Sequence, residues 1–312
     1  MPIIISNEQP VKKKLEKENI FVMSQKKAST QDIRPLRIAI LNLMPEKQKT
    51  ELDLYRLLSN TPLQLEITLL RTKTHKSKNE SDEYLKEYYR TIDDVIEEKF
   101  DGMIITGAPV EHLRFEEVDY FKEFCKIEEW TKRHVTSVIN ICWASQAALY
   151  YHYGINKSSL NEKCFGVYSH KINHRKEPLF RGFDDTFFAP HSRHTKINEE
   201  ELKENKNLEI LAYSKEAGAT IIASKNRKQF FITCHLEYER MRLDSEFKRD
   251  RSKNLDMKIP ENYYPDNDIE KIPNLSWRMA SQLLYSNWIN YYVYQESPYL
   301  LSSIGEANIE IN

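Results

Sequence analysis

The chain has 312 residues, with 46 basic against 47 acidic side chains and a net charge near zero, which argues against nucleic acid as its main partner. Its seven glycines form neither a GxxxxGK(S/T) nor a GxGxxG loop, and Cys125, Cys142, Cys164 and Cys234 fall into no CxxC pair or zinc-finger spacing. No run reaches the roughly 18 apolar residues that span a bilayer, and Ile3–Ile5 is too short for a signal peptide, so a cytoplasmic protein with free thiols is expected.

Residues 1–34 are polar and charged and read as an extension lying over the domain. Then strands and helices alternate. Leu36–Leu43 is a strand, Lys47–Ser59 an amphipathic helix with Leu52, Tyr55 and Leu58 on one face, and Leu63–Leu70 a strand. Thr72–Glu83 is a loop and Tyr84–Glu98 a helix. Gly102–Thr106 is a strand that runs into Gly107-Ala108-Pro109, and Val118–Arg133 is a helix. Val135–Ile141 has the β-branched composition of a buried strand, and Ala144, Ala147, Ala148 and Tyr151 follow at helical spacing up to Gly154. Such alternation predicts right-handed βαβ units, a parallel sheet and a ligand site at the carboxyl ends of the strands.

The second half is richer in short strands, Leu208–Tyr213, Thr220–Ala223 and Gln229–Cys234. A charged helix over Glu239–Asn254, loops over Ser252–Pro273 and a long aromatic helix over Trp277–Tyr294 complete it. That last helix is a candidate surface for a homodimer. One α/β catalytic domain over 35–296, with a tail over 297–312, is the organisation expected.

Cys142 lies between a strand and a helix, where a nucleophile protrudes above the sheet edge and the next N–H points at what it attacks. A helix N-terminus also favours thiolate. A nucleophile needs a base, and the base an orienter. His235 ends the apolar run FFITC and is followed two residues on by Glu237; in an extended chain both project from one face. His191-Ser192-Arg193-His194 reads as a polar substrate-contact loop. His191 and His194 could bind a metal, but no carboxylate or third ligand is grouped with them, and no metal site is expected.

Five stretches together carry a resemblance: LNLMPEKQKTE (41–51), TGAPVEHLRFEEVDY (106–120), INICWASQAALYYHYGI (139–155), FAPHSRHT (188–195) and CHLEYE (234–239). The chain resembles the homoserine O-acyltransferases of the succinyltransferase type, relatives of the class I glutamine amidotransferases. The resemblance implies the fold of that class, with N- and C-terminal extensions. It also implies a Cys142–His235–Glu237 triad, substrate contacts at Lys163, Ser192 and Arg249, and acyl selection at Glu111 and Ser192. Lys47 is a weaker additional candidate. Asn140 and Ala144 replace the glycines of the amidotransferase elbow GxCxG, which implies a roomier turn and makes glutaminase activity doubtful.

The activity implied is transfer of an acetyl group from acetyl-CoA to L-homoserine through a cysteine thioester, in methionine biosynthesis. No permanently bound cofactor is implied. The oxyanion would meet the N–H groups of Trp143 and Ala108. Glutamate at position 111 points to acetyl-CoA over succinyl-CoA. Two readings compete: a triad hydrolase with water as acceptor, and a non-enzymatic interaction protein on the same fold.

Overall fold

The computed structural model describes residues 3–6, 8–30, 33–75, 79–253 and 257–305. The N-terminal segment forms β1 (Ile3–Ile4), α1 (Pro10–Lys17) and α2 (Gln25–Ala28). The alternating units follow as β2 (Leu36–Leu41), α3 (Lys47–Leu58), β3 (Leu65–Leu70), α4 (Asp82–Tyr88), β4 (Tyr89–Arg90), β5 (Phe100–Ile105), α5 (Phe121–His134), β6 (Val135–Ile141) and α6 (Trp143–Tyr153). The second half contributes β7 (Lys157–Ile172), β8 (Thr186–Ile197), α7 (Glu199–Glu204), β9 (Leu208–Ser214), β10 (Gly218–Ser224), β11 (Gln229–Ile232), α8 (Arg242–Ser252) and α9 (Arg278–Asn287).

Strand alternation divides the core in two. Ile38 and Ile40 face one side of β2 with Ile104, Ile139 and Ile141, under α1, α3 and α9. Ala39 and Leu41 face the other with Met103, Ile105 and Val138, under α5 and α6. This is the period of two expected of strands covered on both faces. The strand order is β1-β3-β2-β5-β6-β11-β10-β9-β7-β8, with β4 also beside β3.

From β1 to β11 every pairing is parallel; from β11 to β8 every pairing is antiparallel. The sheet is therefore mixed, where a parallel one was expected. Short turns join β9 to β10 and β10 to β11, and a short turn returns the chain only antiparallel.

The outer strands β7 and β8 were not anticipated as a pair. They run antiparallel over Lys157–Ile172 and Thr186–Ile197, so His191–His194 is strand, not loop. Tyr84–Glu98 also differs: the helix stops at Tyr88, and β4 and a 3₁₀ turn over Ile92–Val95 follow. The N-terminal segment adds β1 to the sheet, and Ile3, Ile5, Val11 and Leu15 enter the core. The end of the tail, 306–312, lies outside the described residues.

The aromatic helix is α-helical to Asn287 and π-helical over Trp288–Tyr294. Leu284, Tyr285, Trp288, Ile289 and Val293 are buried within this chain, and Trp288 Nε1 donates to Ser137 Oγ at 2.9 Å. Its apolar face is thus used within the chain. No helix among the described residues is long and apolar enough to cross a membrane.

His170 on β7 and His191 on β8 are both buried, and their Nε2 atoms lie 3.0 Å apart. One imidazole must donate and the other accept, so the pair holds while both are neutral. Burial lowers His170 to about 4, with Glu216 opposing and Arg193 assisting. Burial, then His170, Arg193 and His235, hold His191 well below its usual value. Unfolded histidines titrate near 6.5, so below that pH the unfolded chain takes up protons that the native pair refuses. The pair's contribution is complete above pH 7 and falls as pH drops toward 4, by about 3 kcal/mol for His170 alone. Asp53 and His235, raised in the native state, act with the opposite sign. The test is therefore a difference: the urea-midpoint gap between the protein and His170→Gln should shrink from pH 7.5 to 5. A constant gap would refute the neutral pair.

Candidate active site

β6 delivers Cys142 to the carboxyl edge of the sheet, and α6 leaves immediately after it. Cys142 has φ 51° and ψ −111°, a conformation rare for a residue with a side chain and typical of strained elbows at active sites. Its N–H donates to Ile232 O of β11 at 2.7 Å. Asn140 and Ala144 are fully buried beside this turn. Trp143 opens α6, so its N–H has no intrahelical acceptor.

His235 follows β11, and its own N–H donates to Pro190 O of β8 at 2.8 Å. Its Nδ1 lies 2.6 Å from Glu237 Oε1, and its ring shares a hydrogen bond with the Cys142 thiol. The order is thus Cys142, His235, Glu237. Burial alone would lower the imidazole, but Cys142 and Glu237 on either side raise it well above its usual value. His235 and Glu237 were expected to share one face of an extended strand. Instead β11 ends at Ile232 and a turn spans Leu236 and Glu237; the turn brings the carboxylate back to Nδ1.

Two further features frame the histidine. The Tyr238 ring stacks on it at 4.2 Å and 18°. A Cβ placed on Gly107 would lie 3.2 Å from Cys142 Cβ and 3.7 Å from His235 Cε1. Only a glycine leaves the gap between the Gly107–Ala108 turn and the nucleophile open.

A polar cluster adjoins the triad. Tyr238 Oη donates to Glu246 Oε1 at 2.8 Å, and Ser192 Oγ to Glu246 Oε2 at 2.6 Å. Asp250, one turn further along α8, accepts from Lys163 Nζ at 3.1 Å and from Arg249 Nε at 2.8 Å. Burial would raise Asp250, yet Arg249 and Lys163 bring it below its usual value.

The profile of the homoserine O-succinyltransferase family matches residues 2–299. The chain belongs to this family. Among curated members, the homoserine O-acetyltransferase of Lachnoclostridium phytofermentans is 56% identical over 301 residues, covering 96% of this chain and all of that protein. The homoserine O-acetyltransferase of Clostridium acetobutylicum is 52% identical over 301 residues, covering 96% of this chain and all of that one. In fold the chain is similar to a glutamine amidotransferase of Thermotoga maritima, with a TM-score of 0.54 at 13% identity over 82% of this chain and 98% of that one.

For a member of the family, the sequence-based site is largely brought together. Cys142, His235 and Glu237 meet, and Lys163, Ser192 and Arg249 converge on Glu246 and Asp250. Lys47 is buried and tied to the Asn42 carbonyl at 2.6 Å; burial lowers its amine to about 8 against Glu51 and Glu80. His191 and His194 do not act together. Three residues apart on a strand, they face opposite sides: His191 meets His170, whereas the His194 ring lies tilted against His112 at 4.4 Å, with Glu111 alongside. A carboxylate is therefore grouped with His194 after all. Tyr238, Glu246 and Asp250 were not singled out as site residues. Glu246 and Asp250, four apart on one helix face, were a visible signal: two like charges there require cations opposite.

Proposed function

We propose that this protein moves an acetyl group from acetyl-CoA to the hydroxyl of L-homoserine, giving O-acetyl-L-homoserine for methionine biosynthesis. The observation that carries the reading is a buried imidazole held between a thiol and a carboxylate in a member of this family. The names of the most similar members favour acetyl. No cofactor need be resident, since the acyl-CoA brings the reactive thioester.

In the first half-reaction His235 Nε2 holds the proton of Cys142 while sulfur attacks the thioester carbonyl. The oxyanion is met by the Trp143 and Ala108 N–H groups, worth a few kcal/mol each. CoA leaves with the proton, and the acetyl group stays on sulfur. In the second half-reaction His235 takes the homoserine hydroxyl proton, oxygen attacks the acetyl carbonyl, and Cys142 leaves and recovers its proton. Glu237 holds the Nδ1–H tautomer throughout. Ping-pong kinetics follow. Incubation with acetyl-CoA should release CoA catalytically only when homoserine is present; equal release without it would make the protein a hydrolase.

Arg249 is the fork for the homoserine carboxylate, and Lys163, Ser192, Glu246 and Asp250 complete the polar end. Arg249→Ala should raise the homoserine KM by roughly tenfold or more while acylation by acetyl-CoA alone persists. Loss of acylation in that variant would place Arg249 on the donor instead.

Glu111 decides the acyl group. It follows the Gly107–Ala108 turn, and its neighbour His194 feels the charges of Lys163 and Asp250. A succinyl carboxylate about 4 Å away would be repelled by roughly 4 kcal/mol at an effective dielectric near 20. Acetyl has no distal charge. The protein should therefore prefer acetyl-CoA in kcat/KM by on the order of several hundredfold, and Glu111→Gly should relax the choice. A preference of the unaltered protein for succinyl-CoA would end this account.

A further inference from the structure

Glu111, His112 and His194 are brought together from two separate parts of the chain, the turn after β5 and the strand β8. A carboxylate oxygen and one nitrogen from each imidazole all lie within 4.8 Å of one another. The imidazole centroids are 4.4 Å apart with the rings inclined at 46°. None of the three side chains makes a hydrogen bond or ion pair with a described residue, whereas the nearby Ser192, Glu246 and Asp250 all do. Around a tetrahedral ion with bonds near 2.1 Å, ligand atoms stand ~3.4 Å apart, a separation that the 4.8 Å bound admits, and His112 is exposed and able to swing toward it. The backbone is pinned on both sides of His112, since Lys157 Nζ donates to the carbonyls of Glu111 at 2.7 Å and Leu113 at 2.8 Å.

The geometry points to a divalent transition-metal site formed by Glu111, His112 and His194 beside the acyl and homoserine sites, with Zn²⁺ the best-matched ion. Two imidazoles and one carboxylate suit zinc and its neighbours, whereas Mg²⁺ and Ca²⁺ prefer oxygen ligands throughout. Three protein ligands leave a position for water or a substrate group. An ion there would neutralise Glu111 and narrow the approach to Cys142, so zinc should act as a reversible inhibitor. The site itself stands independently of which acyl group is transferred; only the inhibition rests on the function proposed above.

Co²⁺, whose visible absorption reports ligand number and type, tests the site directly. Full-length protein stripped with chelator should bind one Co²⁺ with visible bands, displaced by Zn²⁺ and not by Mg²⁺. His112→Ala, at an exposed position outside the catalytic and substrate-binding machinery, should weaken binding by about tenfold or more and leave basal transfer unchanged. Cys142→Ala should leave the cobalt spectrum as it is. The proposal is overturned if His112→Ala binds Co²⁺ as tightly as the unaltered protein, or if no saturable binding occurs. It is equally overturned by a near-ultraviolet thiolate-to-cobalt band that vanishes in Cys142→Ala, which would put the ion on the nucleophile. Binding without inhibition would keep the site and remove only its effect on transfer.

Discussion

Treated with acetyl-CoA, the protein is expected to gain one acetyl group, on Cys142, and Cys142→Ala is expected to gain none and to lose transfer altogether. Four cysteines are free and Cys234 alone is fully buried, so selectivity must come from chemistry as well as access. Burial, then Glu128, pushes Cys125 up to about 11. Burial also raises Cys164, with Arg193 opposing, and raises Cys234. Those thiols stay protonated at neutral pH and are poor nucleophiles. Cys142 alone among them has an imidazole in hydrogen-bond contact and the start of a helix behind it. The alanine variant removes one half-buried sulfur, so its melting temperature should stay within a few degrees of the parent. Peptide mapping decides the matter: an acetyl group on any other cysteine would overturn the mechanism.

Glu237→Gln is expected to lower kcat by on the order of 10⁴ while changing the homoserine KM little. A carboxylate only accepts, so at 2.6 Å from Nδ1 it fixes the proton there and leaves Nε2 free for sulfur. A glutamine can present its NH₂ instead, which stabilises the opposite tautomer and blocks proton transfer from Cys142. It also removes the charge that stabilises the imidazolium after that transfer. The same substitution should move the pH dependence of acylation, because Glu237 is one of the groups holding His235 up. A large rise in KM at unchanged kcat would instead assign Glu237 to substrate binding.

The main strands of the parallel half, β2, β3, β5 and β6, were legible because each is short and mostly apolar. Ile38, Ala39, Ile40 and Leu41 declare a strand without help from the rest of the chain. Cys142 was legible too, since its neighbours pass abruptly from β-branched to helical composition. The antiparallel half was hidden by polarity. In β7 the run Lys157–Cys164 is mostly exposed or half-buried, and in β8 the segment His191–His194 carries no apolar side chain, so neither shows a hydrophobic period. Both are strands because they pair with each other at long range, which no local window reports. The same blindness separated Glu111 and His112 from His194: they are far apart in sequence and meet only in the folded chain, where Lys157 of β7 holds the Glu111 turn. Glu237 does lie against His235, but through a turn in place of the extended pair expected.

The two ends of the sheet differ in how they can grow. At one end β3 is overlaid by two fragments: β1 at Leu65 and Glu66, and β4 at Leu69 and Leu70. Each fragment is two residues long, too short to template a further strand, so that border is closed to edge-to-edge aggregation. The opposite border is the 12-residue β8. There Pro190 offers no N–H and its carbonyl already accepts from His235, and the exposed Lys196 brings positive charge, devices that discourage a neighbouring chain from continuing the ladder. Loss of the first few residues would uncover the hydrogen-bonding groups of β3 at Leu65 and Glu66. A shortened chain should then fail first by self-association at high concentration, before its catalytic edge is disturbed.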